Sequence, residues 1–156
     1  MAVTKECHAQ QRHAHPRTPG SALVSLAILL DDALRSDGAG FSLRVSLPWI
    51  RSLPLASLHD LRVTIDGDDV PLPELAPSPT WWFVQDRIVV SSDVSLEAGT
   101  HEVLVAFKLL IPNMGAGPGQ PLILPFAAAR RLELDAPLEA PRASRDVPLE
   151  AVGSPA

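Results

Sequence analysis

A single cysteine, Cys7, stands in the 156 residues, so no internal disulfide can form and the stapled scaffold of a small secreted domain is excluded. The expected location is the cytoplasm. Positive charge is scarce and scattered: 13 Lys and Arg face 18 Asp and Glu, the net charge is −5, and Arg130-Arg131 is the one adjacent basic pair. A surface that tracks nucleic-acid phosphates is not expected. The apolar run ALVSLAILL, residues 22–30, is too short to span a bilayer, and it meets Asp31 and Asp32 without a small-x-small cleavage site. No membrane is expected either. The patterned part of the chain has no Gly-x-Ser-x-Gly elbow, His-x-His, His-Glu-x-x-His, paired cysteines or phosphate-binding loop. A self-sufficient hydrolase or metalloenzyme is therefore not expected, and this chain should hold neither cofactor nor metal.

What the chain has instead is alternation. In FSLRVSL, residues 41–47, Phe41, Leu43, Val45 and Leu47 fall on one face of a strand and Ser42, Arg44 and Ser46 on the other. The same period recurs at Leu61, Val63 and Ile65, followed by Asp66-Gly67, two residues that tolerate positive φ and mark a hairpin. It recurs again at Val103, Val105, Phe107 and Leu109, whose opposite face is only half polar because of Leu104 and Ala106. RIVVSS, from Arg87, reads as a further strand, and residues 129–135 as a last one with Leu132 and Leu134 inward. Residues 23–34 fit either period, and the surrounding strands favour a strand there. The fold class is all-β, a single-domain antiparallel β-sandwich with Pro- and Gly-rich connecting loops, and a domain of this size buries about two thirds of its extended surface.

Prolines divide this pattern. Residues 1–20, with Cys7, His8, His13 and His15, read as a disordered leader; 21–135 as the sandwich; and 136–156 as a tail that is flexible or draped over a partner. Residues 71–80 contain four prolines, cannot form a central strand and are long enough to cross between sheets. Ser57 to Asp60 reads as a short turn, and residues 111–121 as a Gly/Pro-rich rim loop carrying Met114.

Candidate functional residues follow from this layout. Pro48 and Pro54 hold Trp49 and Arg51 in a stiff loop, where an aromatic face and a fork of donors either meet a sugar, a carboxylate or a partner protein, or cap the core and solvate its rim. Trp81, Trp82 and Phe83 alternate along an extended segment and cannot all enter one core. His101 shares parity with Val103, at the edge of the buried face, where a histidine is either a satisfied core residue or reaches a cleft. His59 beside Asp60 reads as a surface turn residue, since neighbours in a strand point apart.

The ordered series DDALRSDGAGFSLRVSLPWIRSLPLASLHDLRVTIDGDDV, WWFV and LEAGTHEVLVAFKLLIPNM, across residues 26 to about 126, resembles the small β subunit of bacterial C-glycoside deglycosidases. Arg44, Pro48, Trp49, Arg51, Pro54 and Leu55 match the family-like pattern. Ile50 stands where a second aromatic is expected, and Ala56 where serine is common. The resemblance implies a β-sandwich in a hetero-oligomer with a larger, sugar-phosphate-isomerase-like TIM-barrel α subunit that binds a divalent metal, manganese or similar. It implies action on 3-oxo-C-glycosides of flavonoids and related aromatics by elimination, with the substrate at or near a shared cleft. Arg44, Trp49, Arg51, Trp81, Trp82, His101 and Met114 are the candidates for that interface or cleft, and no catalytic residue is assigned. A carbohydrate-binding or assembly module without a part in bond cleavage is the alternative.

Overall fold

Where apolar and polar side chains alternate in the sequence, the chain forms strands. The computed structural model describes residues 27–72, 80–84, 86–137 and 146–149. The leader 1–20 and most of the Pro-rich segment 71–80 lie outside the described residues. In chain order the strands are β1 (Leu34–Asp37), β2 (Gly40–Ser46), β3 (Leu53–Pro54), β4 (Leu58–Ile65), β5 (Asp68–Asp69), β6 (Trp81–Trp82), β7 (Arg87–Ser92), β8 (Thr100–Gly117), β9 (Gln120–Glu133) and β10 (Asp146–Pro148). They build two four-stranded sheets, in the orders β1-β2-β7-β10 and β5-β4-β8-β9, and a small ribbon of β3 and β6. No described helix is long and apolar enough to cross a membrane.

The two sheets form a β-sandwich around one core. Phe41, Leu43, Val45, Ile88 and Val90 come from the first sheet, and Val63, Ile65, Val103, Val105, Phe107 and Leu109 from the second; none is more than 5% exposed. Each such side chain contributes about 1.5–3 kcal/mol by leaving water. The Asp66-Gly67 hairpin is present, with φ of 52° and 91°, and pairs Ile65 with Asp68. Strand β2 also runs as expected, with β1 beside it in a hairpin that pairs Leu34 with Leu43.

Gly40 shows how tightly β2 meets its neighbour. A Cβ at this position would lie 1.9 Å from the backbone oxygen of Ser92. Backbone cannot yield as a side-chain tip can, so Gly40→Ala is expected to cost about 1–3 kcal/mol by pushing the β2–β7 pairing apart. Urea denaturation measures this; an unchanged midpoint would show that the pairing relaxes freely.

Several expectations are corrected. Of 23–34, the described residues 27–33 hold bends and turns rather than a strand, with the Ala33 amide donating to the Leu30 carbonyl at 3.1 Å, and β1 starts only at Leu34. Asp32 supplies the reason, because its carboxylate turns inward to Arg87 at 2.9 Å. The segment still lines β2, whose Arg44 and Ser46 amides donate to the Ala33 and Ile28 carbonyls at 2.8 Å. The turn expected at Ser57 to Asp60 is a 3-10 turn over Leu55–Ser57, after which β4 begins at Leu58. A bulge between His59 and Arg62 absorbs Asp60, at φ 52°, and Asp60 pairs across the sheet with Lys108 at 2.7 Å.

The rim loop is likewise a strand pair: residues 111–121 are the far end of the β8–β9 hairpin, closed at Gly119 with φ 73°. The prolines and glycines that read as loop are accommodated by register shifts between Ile111 and Gly115 and between Gly115 and Gly117. Part of the expected tail also belongs to the sandwich. Strand β10 adds in parallel to β7, pairing Asp146 with Arg87, and Val147 is buried.

Candidate functional site

Two short constructions, one on each side, make a cleft at one end of the sandwich. On the first side, Pro48 ends β2 and the chain passes through Trp49, Ile50 and Arg51 into β3, where Leu53 pairs with Trp82 and Pro54 with Trp81. Opposite residues in an antiparallel pair share a face, so buried Leu53 draws Trp82 inward and leaves Trp81 outside. Trp82 is 1% exposed and Trp81 48%. Trp82 is held by its indole N–H, which donates to the Asp86 carbonyl at 3.1 Å, and by Phe107, whose ring centre lies 6.2 Å away. Phe107 in turn stacks on Phe126 at 5.8 Å. The exposed Trp81 thus stands on a ribbon anchored in the core.

The second side is the bulged end of β8. Asn113 adopts φ 60° where the register with β9 shifts, and the bulge brings Pro112, Asn113 and Met114 to the cleft beside Ile111. The resulting space is about 490 Å³. Trp49, Arg51, Trp81 and Met114, four of the sequence-derived candidates, line it together. Arg51 is the one charged residue in the lining, and it is exposed and forms no hydrogen bond or ion pair with any described residue.

The other three candidates lie elsewhere. Trp82 is a core residue that supports the cleft from behind. Arg44 is on the polar face of β2, where its Nε donates to Asp146 at 2.8 Å and helps hold β10. His101 is at the start of β8, on the order of 30 Å along the strand from Ile111 at the usual rise per residue.

His101 fastens the far end of the sandwich. Its Nδ1 lies 2.6 Å from an Asp66 carboxylate oxygen and its Nε2 2.8 Å from the Glu97 carbonyl oxygen. Both partners are acceptors, so the doubly protonated ring satisfies both. The Asp66 hydrogen bond raises the His101 pKa above 6.5, and the Glu97 carbonyl adds to it against the opposing effect of burial. The same bond lowers the Asp66 pKa below 3.8, aided by the Glu102 amide.

A histidine whose folded value is raised contributes its full stability below its unfolded value and loses it as pH rises through the folded one. Asp66 contributes above its unfolded value and loses its share only in acid. The clasp is therefore complete between about pH 4 and 6.5, and weakens above that. Relative to His101→Gln, the wild-type chain is expected to lose thermal stability from about pH 6 to pH 8; parallel melting curves would contradict this.

Ile50, Ile111, Pro112 and Asn113 are cleft residues that sequence reasoning missed. The one available signal was Ile50, an apolar side chain between two prolines, which is 74% exposed. Among the described residues no three His, Cys, Asp or Glu side chains gather where a metal ion could be held.

No family model matches the sequence. Among characterised proteins, the chain is similar to the 3'-dehydrocarminate deglycosidase beta subunit of a Microbacterium species, with 29% identity over 123 residues that cover 69% of this chain and 92% of that protein. It is similar to the C-glycoside deglycosidase beta subunit of Microbacterium trichothecenolyticum, 34% identical over 101 residues, covering 54% of this chain and 77% of the relative. The protein of that name from Arthrobacter globiformis is 30% identical over 104 residues, covering 54% and 79%.

Proposed function

The chain belongs to the C-glycoside deglycosidase beta subunit family, and from that premise we propose that it is the small, non-catalytic subunit of a heteromeric carbon–carbon lyase. In this reading it pairs with a TIM-barrel α subunit in the cytoplasm, stabilises that barrel and shapes its open end around 3-oxo-C-glycosides of flavonoids or related aromatics. The reaction is an elimination: a ketone at sugar C3 acidifies the C2 hydrogen, and loss of that proton expels the aryl group from C1. The base, and the divalent metal that would polarise the ketone, are assigned to the α subunit.

The observation that carries the reading is the cleft itself. Ile50, Trp81 and Met114 leave 74%, 48% and 49% of their surfaces exposed on one apolar concavity, and Trp and Met are residue types enriched at protein interfaces. Covering it against the barrel would remove water from the aglycone side of the site. The half-exposed face of Trp81 favours a second reading, in which it stacks on a sugar in a binding module without a part in cleavage.

The deciding experiment is deglycosylation of a 3-oxo-C-glucoside by the candidate α subunit with and without this chain, with co-elution followed on the same samples. A stable complex whose activity requires this chain is the expected result. No complex and no gain in activity would overturn the subunit reading in favour of the binding module.

A further inference from the structure

We infer that the cleft between the β3–β6 ribbon and the bulged end of β8 binds a flat aromatic ring bearing an anionic oxygen, and that Arg51 selects for the charge. This deepens the subunit reading and rests on it for the identity of the ring, which is the aglycone end of the substrate.

Shape comes first. Trp49, Trp81, Ile111 and Met114 offer broad apolar surfaces, and about 490 Å³ lies within the range of small-molecule sites. Indole faces and a thioether both pack well on a flat ring. The walls are preorganised: Trp82 anchors one and the β8–β9 pairing carries the other, so little ordering would accompany binding.

Polarity then narrows the class. A sugar presents several hydroxyl donors and needs acceptors around it, yet the lining contains no carboxylate. Its neutral polar side chains are Asn113 and Ser52 alone, too few acceptors for a ring of hydroxyls, and the Ser52 Oγ already accepts the Val84 amide at 3.2 Å. The lining's single charge is positive, in a chain of net charge −5. A guanidinium presents a planar fork of donors suited to a carboxylate or phenolate, and Arg51 has no described partner to give up. An aryl anion matches both the apolar walls and the exposed Arg51, which has no partner among the described residues.

Calorimetry of the full chain with 2-naphthoate and with 2-naphthamide, two probes of nearly equal shape and different charge, tests this. The wild-type chain should bind the carboxylate about tenfold more tightly, the low end for a hydrogen bond to a charged group, as suits a solvent-open site. Arg51→Met should erase the preference, Arg51→Lys keep part of it, and Trp81→Ala weaken both probes alike. Failure of naphthoate to bind, equal affinity for the two probes, or a preference surviving in Arg51→Met would overturn the inference. So would displacement of the probe by the purified α subunit, because a protein segment would then fill the cleft. Co-elution separates the two readings: complex formation without a charge preference overturns only the inference, and a preference without a complex overturns only the subunit assignment.

Discussion

Trp82→Ala is expected to lower the unfolding free energy by about 3–5 kcal/mol, a large part of what a domain of this size has. Trp82 is 1% exposed, packs on Phe107 and satisfies its indole N–H on the Asp86 carbonyl. Truncation leaves a cavity and removes the indole hydrogen bond to the Asp86 carbonyl, and it also releases the short β3–β6 ribbon, where Leu53 pairs with Trp82, Pro54 with Trp81, and the Leu55 amide donates to the Thr80 carbonyl at 2.8 Å. Its neighbour is the control. Trp81→Ala removes an equally large ring from a half-exposed site and should change stability by about 1 kcal/mol or less. Denaturant midpoints of the two variants measure the difference. Equal losses would mean that both rings support the fold, and the cleft would then not be a surface left open for a ligand.

That contrast also shows what the sequence made legible. Alternation alone requires that Trp81 and Trp82 point opposite ways, but not which of them enters the core. The choice is made by the register with Leu53 and Pro54, a pairing between segments almost thirty residues apart that no local pattern encodes. The inward faces of β2, β4 and β8 were readable for the opposite reason, since a two-residue period states its own face. Composition misled at residues 111–121, where Pro112, Gly115 and Gly117 resemble a loop. Pairing with β9 overrides local preference there, and the bulges that make room for those residues also bring Met114 to the cleft. Proline spacing around Trp49 and Arg51 did identify one wall of that cleft. On the opposite wall Met114 was a candidate, but the bulge that brings it there with Pro112 and Asn113 depends on the register with β9, which sequence alone did not reveal.

Arg87→Met is expected to cost about 3 kcal/mol, because Arg87 ties β7 to the segment before β1 through a buried ion pair with Asp32, and to β10 through the more exposed Asp146. Its guanidinium lies 2.9 Å from Asp32 and 3.5 Å from Asp146, and the side chains of Arg87 and Asp32 are each 10% exposed. Removing the cation takes the 2.9 Å ion pair away from the buried Asp32 carboxylate, and that penalty exceeds the net contribution of the intact pair. The double variant Arg87→Met, Asp32→Leu should therefore recover much of the loss, a coupling that a double-mutant cycle reads directly. Arg44→Met breaks the more exposed contact to Asp146 and should cost under about 1 kcal/mol. Hydrogen exchange adds a local readout, because the Leu149 amide donates to the Val89 carbonyl at 3.2 Å only while β10 stays docked. Faster exchange at Leu149 in both arginine variants, with global destabilisation confined to Arg87→Met, would show that Asp146 fastens the C-terminal strand while Asp32 holds the segment before β1 against the sheet. Equal destabilisation by the two would place the dominant energy on Asp146 instead.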